Sequence, residues 1–184
     1  LTRITTEAEF WNLHVLDSLA VGCVVPELLH DALRLADVGC GAGFPLFPLA
    51  WANPNCTITG IESRGKKVTF LLDEIDSLPL TNAHAIHRQA REAGRDDTLA
   101  GQFDAVLLRA VGTSGKLLRE CRRLLADVPG AKIVFYKTPD ALRNERDLAR
   151  REAEKFRMTI CESEIIHLPE NAGARQFLVL SKHV

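Results

Sequence analysis

A run of glycines between an apolar segment and a helical pattern most constrains the fold of this chain. Residues 36–45 read ADVGCGAGFP, with glycines at positions 39, 41 and 43. Glycine has no Cβ, so the backbone can turn sharply there and approach a ligand closely. Pro45 suits the first turn of a helix, whose N-terminus offers free N–H groups and a positive dipole end. The pattern predicts a strand, a tight turn and a helix, the geometry of a nucleoside-cofactor site.

Two acidic residues indicate which cofactor this turn suits. A dinucleotide fingerprint is spaced G-x-G-x-x-G and holds a pyrophosphate, whereas this loop is spaced G-x-G-x-G. The Asp37 carboxylate would repel pyrophosphate but can meet the cationic amino group of a methionine moiety. Glu62 ends the next apolar run, where an acidic side chain can accept both ribose hydroxyls. We therefore expect Asp37, Gly39, Gly41, Gly43 and Glu62 to bind S-adenosylmethionine; a nicotinamide-dependent oxidoreductase is the alternative.

Size and composition fit one α/β domain over residues 1–184, with an N-terminal helical flank (1–32) and a cofactor-binding core (33–184). The 184 residues are 46% hydrophobic and carry a net charge of −1. This charge excludes a generally basic nucleic-acid coat, so any RNA contact must come from a local patch. Scattered cysteines and histidines suggest no metal site. With no membrane-length apolar stretch or targeting segment, we expect a cytoplasmic protein without membrane contact, and a monomer.

Apolar runs of strand length alternate with helical patterns, which is typical of a doubly wound sheet. The connection between the last two strands is too short for a parallel crossover, so the last strand should pair antiparallel. The predicted fold is a Rossmann-like, seven-stranded, mostly parallel sheet. The predicted strands are 33–38, 57–62, 83–88, 103–109, 131–137, 156–165 and 175–182, and the covering helices are 45–52, 66–78, 114–125 and 140–155.

Charged residues at strand ends are candidates for the chemistry, because such sheets bind ligands at their carboxyl edge. Arg109 interrupts a long apolar run, and an arginine so placed needs an anionic or hydrogen-bond-accepting partner. Lys137 ends the next predicted strand. On the flank, His14 and Asp17 are one helical turn apart and can line one wall of a substrate cleft. The plainer interpretation of that segment is an amphipathic helix with its leucines inward.

These motifs together resemble the RsmG family, also called glucose-inhibited division protein B, of 16S ribosomal RNA guanine-N7 methyltransferases. The likeness covers nearly the whole chain, and H-x-x-D-S combined with D-V-G-x-G-A-G-F-P is its most specific part. The matching segments are residues 1–5, 10–19, 37–45, 66–71, 109–110, 137 and 173–175. The resemblance implies a class I S-adenosylmethionine-dependent fold, with 16S ribosomal RNA or the small subunit as partner. By position it implies that Gly39, Phe44, Ala90, Arg91 and Arg109 contact the cofactor.

The leading hypothesis is methylation of guanine N7 in 16S ribosomal RNA, with Arg109, Lys137 and Arg175 positioning the base or its phosphates. Guanine N7 has a free lone pair, so no residue is expected to act as a general base. Arg91 stands where the family has a carboxylate, which changes the polarity expected beside the adenine. A small-molecule methyltransferase and a non-catalytic ribosomal-RNA binding module are the alternatives.

Overall fold

Helices cover both faces of an eight-stranded sheet in the computed structural model, which describes residue 4 and residues 6–182. Residues 1–3 and 5 lie outside the described residues; they belong to the predicted flank and to the N-terminal segment that matches the family. Before the sheet, the chain forms α1 (Glu7–Phe10), a π-helical turn (Trp11–Leu16), α2 (Asp17–Leu19) and 3₁₀ turns at Ala20–Cys23 and Pro26–Leu29. The strands are β1 (Arg34–Val38), β2 (Thr57–Glu62), β3 (Ala83–His87), β4 (Ala105–Arg109), β5 (Lys132–Lys137), β6 (Met158–Glu162), β7 (Ile166–His167) and β8 (Ala174–Lys182). The other helices are α3 (Leu46–Ala52), α4 (Gly65–Ser77), α5 (Ala90–Ala93), α6 (Ser114–Cys121) and α7 (Pro139–Lys155), with 3₁₀ turns at Arg122–Leu124 and Pro169–Asn171.

The strand order confirms the doubly wound topology. It runs β3-β2-β1-β4-β5-β8-β6, and β7 pairs with β8. Strands β1 to β5 are parallel, whereas β8 lies antiparallel between β5 and β6. The reversed last strand is therefore as predicted. The carboxyl ends of β1, β2 and β4 meet at one edge of the sheet, where the glycine loop follows β1.

The sheet contains the seven predicted strands and a two-residue eighth. The run predicted as one strand over 156–165 is shorter, because Arg157 has a φ of 51° and the strand begins only at Met158. Beyond Glu162, Ile166 pairs with Arg175 in the separate short strand β7. The helix predicted over 114–125 likewise ends at Cys121 and continues as a 3₁₀ turn.

Two hydrophobic cores form, one on each face of the sheet. Along β4, Leu107 packs with the N-terminal flank and α3, whereas Val106 and Leu108 pack with α6 and α7. Successive side chains of a strand point to opposite faces, so a strand covered on both sides is apolar throughout. This explains the uninterrupted apolar run that precedes Arg109.

The longest helix, α7, lies on the surface, as its charged composition predicts. It buries Leu142, Ala149 and Ala153 against the sheet and carries most of its charges outward. Within residue 4 and residues 6–182, no helix combines the length and the apolarity that crossing a membrane requires.

Candidate active site at the carboxyl edge of the sheet

The glycine loop after β1 has the backbone geometry that the sequence predicts. Gly39, Gly41 and Gly43 have φ values of 74°, 62° and 89°. A Cβ at Gly39 would lie 2.4 Å from Val111 Cγ1, and one at Gly43 would lie 2.1 Å from the Phe47 ring. Side chains rarely adopt these φ values, and no space exists for one at either position. Glycine is therefore required for both the turn and its packing.

Asp37 lies beneath this loop and is fully buried. Its Oδ2 accepts a hydrogen bond from the Leu46 N–H at 3.0 Å, so the carboxylate caps α3. The helix begins at Leu46, and Pro45 precedes it with non-helical dihedral angles rather than forming its first turn as expected. Burial raises the pKa of Asp37 to about 7. Within residue 4 and residues 6–182, Oδ1 of Asp37 has no hydrogen-bond partner.

Glu62 ends β2 beside the loop and is also buried. Its Oε2 accepts from the Gly41 N–H at 3.1 Å, and its Oε1 accepts from the Arg64 N–H at 3.0 Å. The Lys67 ammonium lies 3.9 Å from Oε2. The Ser63 hydroxyl also donates to Oε1 at 3.4 Å. Each carboxylate oxygen has two lone pairs, so these three hydrogen bonds leave one acceptor position, on Oε2. The side chain fixes the glycine loop and keeps one acceptor position that a ribose hydroxyl can use.

A cavity of about 330 Å³ opens beside the loop. We call it the glycine-loop cavity. Ala90 lines it as expected, but the arginine on its wall is Arg88, whereas Arg91 is exposed on α5. The family resemblance implied that Arg91 contacts the cofactor, but Arg91 is not among the residues that line this cavity. The full lining is Val38, Gly39, Ile61, Ser63, Arg88, Gln89, Ala90, Val111, Leu117 and Glu120.

Asp17, Arg109 and Arg175 form a compact ion cluster next to the loop. Arg109 donates from Nε and Nη2 to Asp17 Oδ2 at 2.9 and 2.7 Å. Arg175 Nε lies 2.6 Å from Asp17 Oδ1, and its Nη2 donates to Oδ2 at 3.1 Å. The Asp17 side chain is 1% exposed, and those of Arg109 and Arg175 are 14% and 19% exposed. The partner that Arg109 was expected to need is Asp17, and the cluster keeps one net positive charge.

A second cavity, of about 260 Å³, opens over this cluster. We call it the arginine cavity. Val111 lines both cavities, so the two adjoin at the Gly39–Val111 contact. Ala110, in the wall, has a φ of 53°, a strained value for a non-glycine residue that is often found near functional sites. The lining is Asp17, Arg109, Ala110, Val111, Tyr136, Lys137, Thr138, Ala141 and Arg175.

Lys137 lines the arginine cavity, but the carboxylate of Glu145 offsets its positive charge. Its ammonium lies 3.0 Å from Glu145 Oε2 on α7 and donates to the Gly112 carbonyl at 3.1 Å. The same carboxylate accepts from the Ser114 N–H and hydroxyl at 2.7 and 2.6 Å. Burial opposes ionisation of Glu145, but the Ser114 and Lys137 contacts outweigh it and lower its pKa. Lys137 therefore holds α7 and the start of α6 to the sheet edge.

The N-terminal flank closes over this edge through several long-range hydrogen bonds. Arg109 Nη2 donates to the Leu13 carbonyl at 2.6 Å, and the Tyr136 hydroxyl donates to the Ser18 carbonyl at 3.0 Å. The His14 ring stacks on Phe44, with centroids 4.5 Å apart and planes 16° apart. Burial and the nearby Arg109 charge lower the pKa of His14, so the ring is neutral near pH 7.

The structure therefore brings most of the predicted residues to one edge of the sheet. Asp37 and Glu62 contact the loop that contains the three glycines and Phe44, and His14 stacks on Phe44. The arginine cavity is lined by Asp17, Arg109, Lys137 and Arg175. Val111, Tyr136 and Glu145 were not among the residues predicted from the sequence. The first two lie at or just beyond strand ends, which was a usable signal, whereas nothing local marks Glu145 among the charges of α7.

A cavity of about 360 Å³ at the opposite edge of the sheet is larger than either of these. Arg122, Arg123, Phe156 and Lys182 line part of it. Open α/β sheets bind their ligands at the carboxyl ends of the strands, so we assign the site to the two adjoining cavities there.

Comparison with known proteins identifies relatives of this chain. The family described as rRNA small subunit methyltransferase G (GidB) matches residues 1–176. A ribosomal RNA small subunit methyltransferase G from Lactobacillus delbrueckii subsp. bulgaricus is 33% identical over 182 residues, 99% of this chain and 75% of that relative. The protein of that name from Sorangium cellulosum is 46% identical over 112 residues, 61% of this chain and 46% of the relative.

Solved structures share the fold at low sequence identity. Fibrillarin from Aeropyrum pernix with bound S-adenosyl-L-methionine aligns with a TM-score of 0.68 and 14% identity, over 92% of this chain and 76% of that one. A SAM-dependent methyltransferase from Aquifex aeolicus aligns with a TM-score of 0.66 and 15% identity, over 97% of this chain and 99% of that one. The sheet with its reversed strand is thus a class I methyltransferase fold.

Proposed function

Because the chain belongs to the rRNA small subunit methyltransferase G family, we propose that it transfers a methyl group from S-adenosylmethionine to N7 of a guanosine in 16S ribosomal RNA. The observation that carries the proposal is the pair of adjoining cavities: Gly39 lines one, the arginine cluster lines the other, and Val111 lines both. The glycine-loop cavity suits the cofactor, and the arginine cavity suits the acceptor.

The residues present fit S-adenosylmethionine. The loop presents bare backbone at Gly39, and the buried Oδ1 of Asp37 is an acceptor suited to the ammonium of the methionine moiety. Glu62 would hold the ribose, and Ala90 and Phe44 would flank the remainder. When bound, the cofactor supplies an electrophilic methyl group on a sulfonium.

Around the acceptor, the chain's own residues orient the base and exclude water. Guanine N7 carries a lone pair that is not protonated near pH 7, so transfer needs alignment and no proton removal. Arg109 and Arg175 are suited to an electron-rich base edge or a phosphate, because their cluster with Asp17 keeps a net positive charge. Asp17 fixes both guanidinium groups, and the Lys137–Glu145 pair fixes the opposite wall. His14 is neutral near pH 7 and would act as a contact surface.

Methyl transfer to RNA tests the proposal directly. Purified protein is incubated with radiolabelled S-adenosylmethionine and either naked 16S ribosomal RNA or small subunits, and the RNA is digested and its nucleosides are separated. We expect label in 7-methylguanosine, and none with a Gly39→Val variant. Label in another nucleoside would refute the N7 assignment. Transfer to small molecules alone would favour the small-molecule alternative, which the net charge of −1 supports.

We also propose that the protein acts as a monomer in the cytoplasm, because each element of the site comes from one chain and ribosomal RNA is its expected partner. Sedimentation at the concentration used for catalysis tests the monomer, and a stable dimer under those conditions would contradict it.

A further inference from the structure

We propose that an aromatic platform beside the arginine cavity stacks a nucleobase of the RNA that neighbours the target guanine. The platform consists of Phe10, Trp11, His14 and Phe44. This inference rests on the proposed function, because it takes the acceptor to be RNA. It adds a second base-binding site outside the two cavities.

The four rings form a continuous aromatic cluster. His14 and Phe44 are stacked, and Phe10 meets both rings edge-on at centroid distances of 5.8 and 5.7 Å. Trp11 lies edge-on to Phe10 at 6.4 Å. Phe10 is 40% exposed and Trp11 47% exposed, so large aromatic surface faces outward. Exposed rings grouped in this way offer the flat apolar surface on which bases stack.

The platform adjoins the acceptor side of the site. Phe44 directly follows the glycine loop, and the carbonyl of Leu13, next to His14, accepts a hydrogen bond from Arg109. The net positive charge of the Asp17, Arg109 and Arg175 cluster therefore lies beside aromatic surface. A nucleotide combines a flat base with an anionic phosphate, and this juxtaposition complements both parts.

The backbone under the platform is unusual and firmly held. Residues Trp11–Leu16 form a π-helical turn, a rare geometry that is found frequently at functional sites. Asn12 Nδ2 donates to Glu170 Oε2 at 2.9 Å, and the Ser18 hydroxyl donates to the His14 carbonyl at 2.6 Å. A surface that is ordered before binding loses little conformational entropy when a base stacks on it.

Tryptophan fluorescence tests stacking independently of methyl transfer. The chain has two tryptophans, and Trp51, the penultimate residue of α3, is 69% exposed. In a Trp51→Phe variant, Trp11 is the sole tryptophan, and we expect naked 16S ribosomal RNA to quench its emission. In the matched Trp11→Phe variant, emission from Trp51 should stay unchanged. Absence of quenching in the first variant overturns the inference, whether or not methyl transfer occurs.

Steady-state methyl transfer distinguishes a stacked base from a merely apolar contact. At saturating S-adenosylmethionine, Phe10→Leu should raise the KM for 16S ribosomal RNA about tenfold, equivalent to about 1.4 kcal/mol, with kcat within about twofold. Phe10→Tyr should restore the KM, and Trp51→Leu is the exposed control. Cofactor affinity and thermal unfolding are measured for each variant. If wild type transfers methyl groups and Phe10→Leu matches its KM, this inference fails alone; if wild type transfers none to RNA, the proposed function fails.

Discussion

Replacing Asp37 with asparagine should make the folded protein more stable at neutral and alkaline pH. Asp37 is buried, and its pKa is raised from 3.8 to about 7 by desolvation. Below about pH 4 the carboxyl group is protonated in both states, so it contributes no pH dependence. Between pH 4 and 7 the unfolded chain releases this proton while the folded protein keeps it, and the free energy of unfolding falls. Above pH 7 the loss is complete.

The size of the effect follows from the shift. One pKa unit corresponds to about 1.4 kcal/mol, so the full loss is on the order of 4 kcal/mol, of which about 3 kcal/mol falls between pH 5 and 8. Asparagine is neutral throughout, and its Oδ1 can still accept from the Leu46 N–H. The stability advantage of Asp37→Asn over wild type should therefore grow by about 3 kcal/mol between pH 5 and 8.

Urea denaturation at these two pH values measures the difference. With a slope of about 2 kcal/mol/M, the gap between the two midpoints should widen by about 1.5 M from pH 5 to pH 8. Asp76→Asn, at an exposed position on α4, is the control, and its effect should be equal at both pH values. An equal effect of Asp37→Asn at both would refute the reasoning, because Asp37 would then be ionised and stabilised throughout.

Binding of S-adenosylmethionine should depend on pH through the same carboxyl group. An ammonium group next to Asp37 favours the ionised carboxylate. The stabilisation that S-adenosylmethionine gives to wild type should therefore increase from pH 6 to pH 8, and Asp37→Asn should lose this increase. Thermal unfolding with and without the cofactor measures it. A pH-independent stabilisation of wild type would place the ammonium elsewhere.

Three further predictions follow from the site. Asp17→Ala leaves two nearly buried guanidinium groups without their counter-ion, so it should lower the free energy of unfolding by about 3–5 kcal/mol in urea denaturation. If the variant were as stable as wild type, the arginines would have found other partners. Gly39→Ala should weaken S-adenosylmethionine binding at least about tenfold by calorimetry, equivalent to about 1.4 kcal/mol. The control Gly101→Ala, also at positive φ but in open space, should leave the affinity unchanged. If Gly39→Ala bound the cofactor as tightly as wild type does, the loop would not belong to the cofactor site. Lys137→Met and Glu145→Gln should be non-additive by about 0.5–3 kcal/mol in a double-mutant cycle of stability, and additivity would mean that the pair is uncoupled.

Local sequence patterns predicted seven of the eight strands of the sheet, the glycine loop and the need of Arg109 for a partner. Each depends on residues close in sequence: the apolar run of β4, the alternate glycines, and a charge within buried chain. Positions that depend on how a short element turns were less predictable. The family resemblance implied that Arg91 contacts the cofactor, but Arg88 lines the cavity, and Arg91, on the short helix α5, is absent from its lining.

The sequence by itself determined the sheet, the reversed last strand and the placement of Asp37, Gly39 and Glu62 at one edge. Only the tertiary structure decided which residues that are distant in the sequence contact one another. Arg109 and Asp17 are 92 positions apart and Arg175 and Asp17 are 158 apart, yet they form one ion cluster. The reason is physical: backbone sterics and side-chain periodicity act between near neighbours, whereas long-range partners are fixed only when the flank packs onto the sheet.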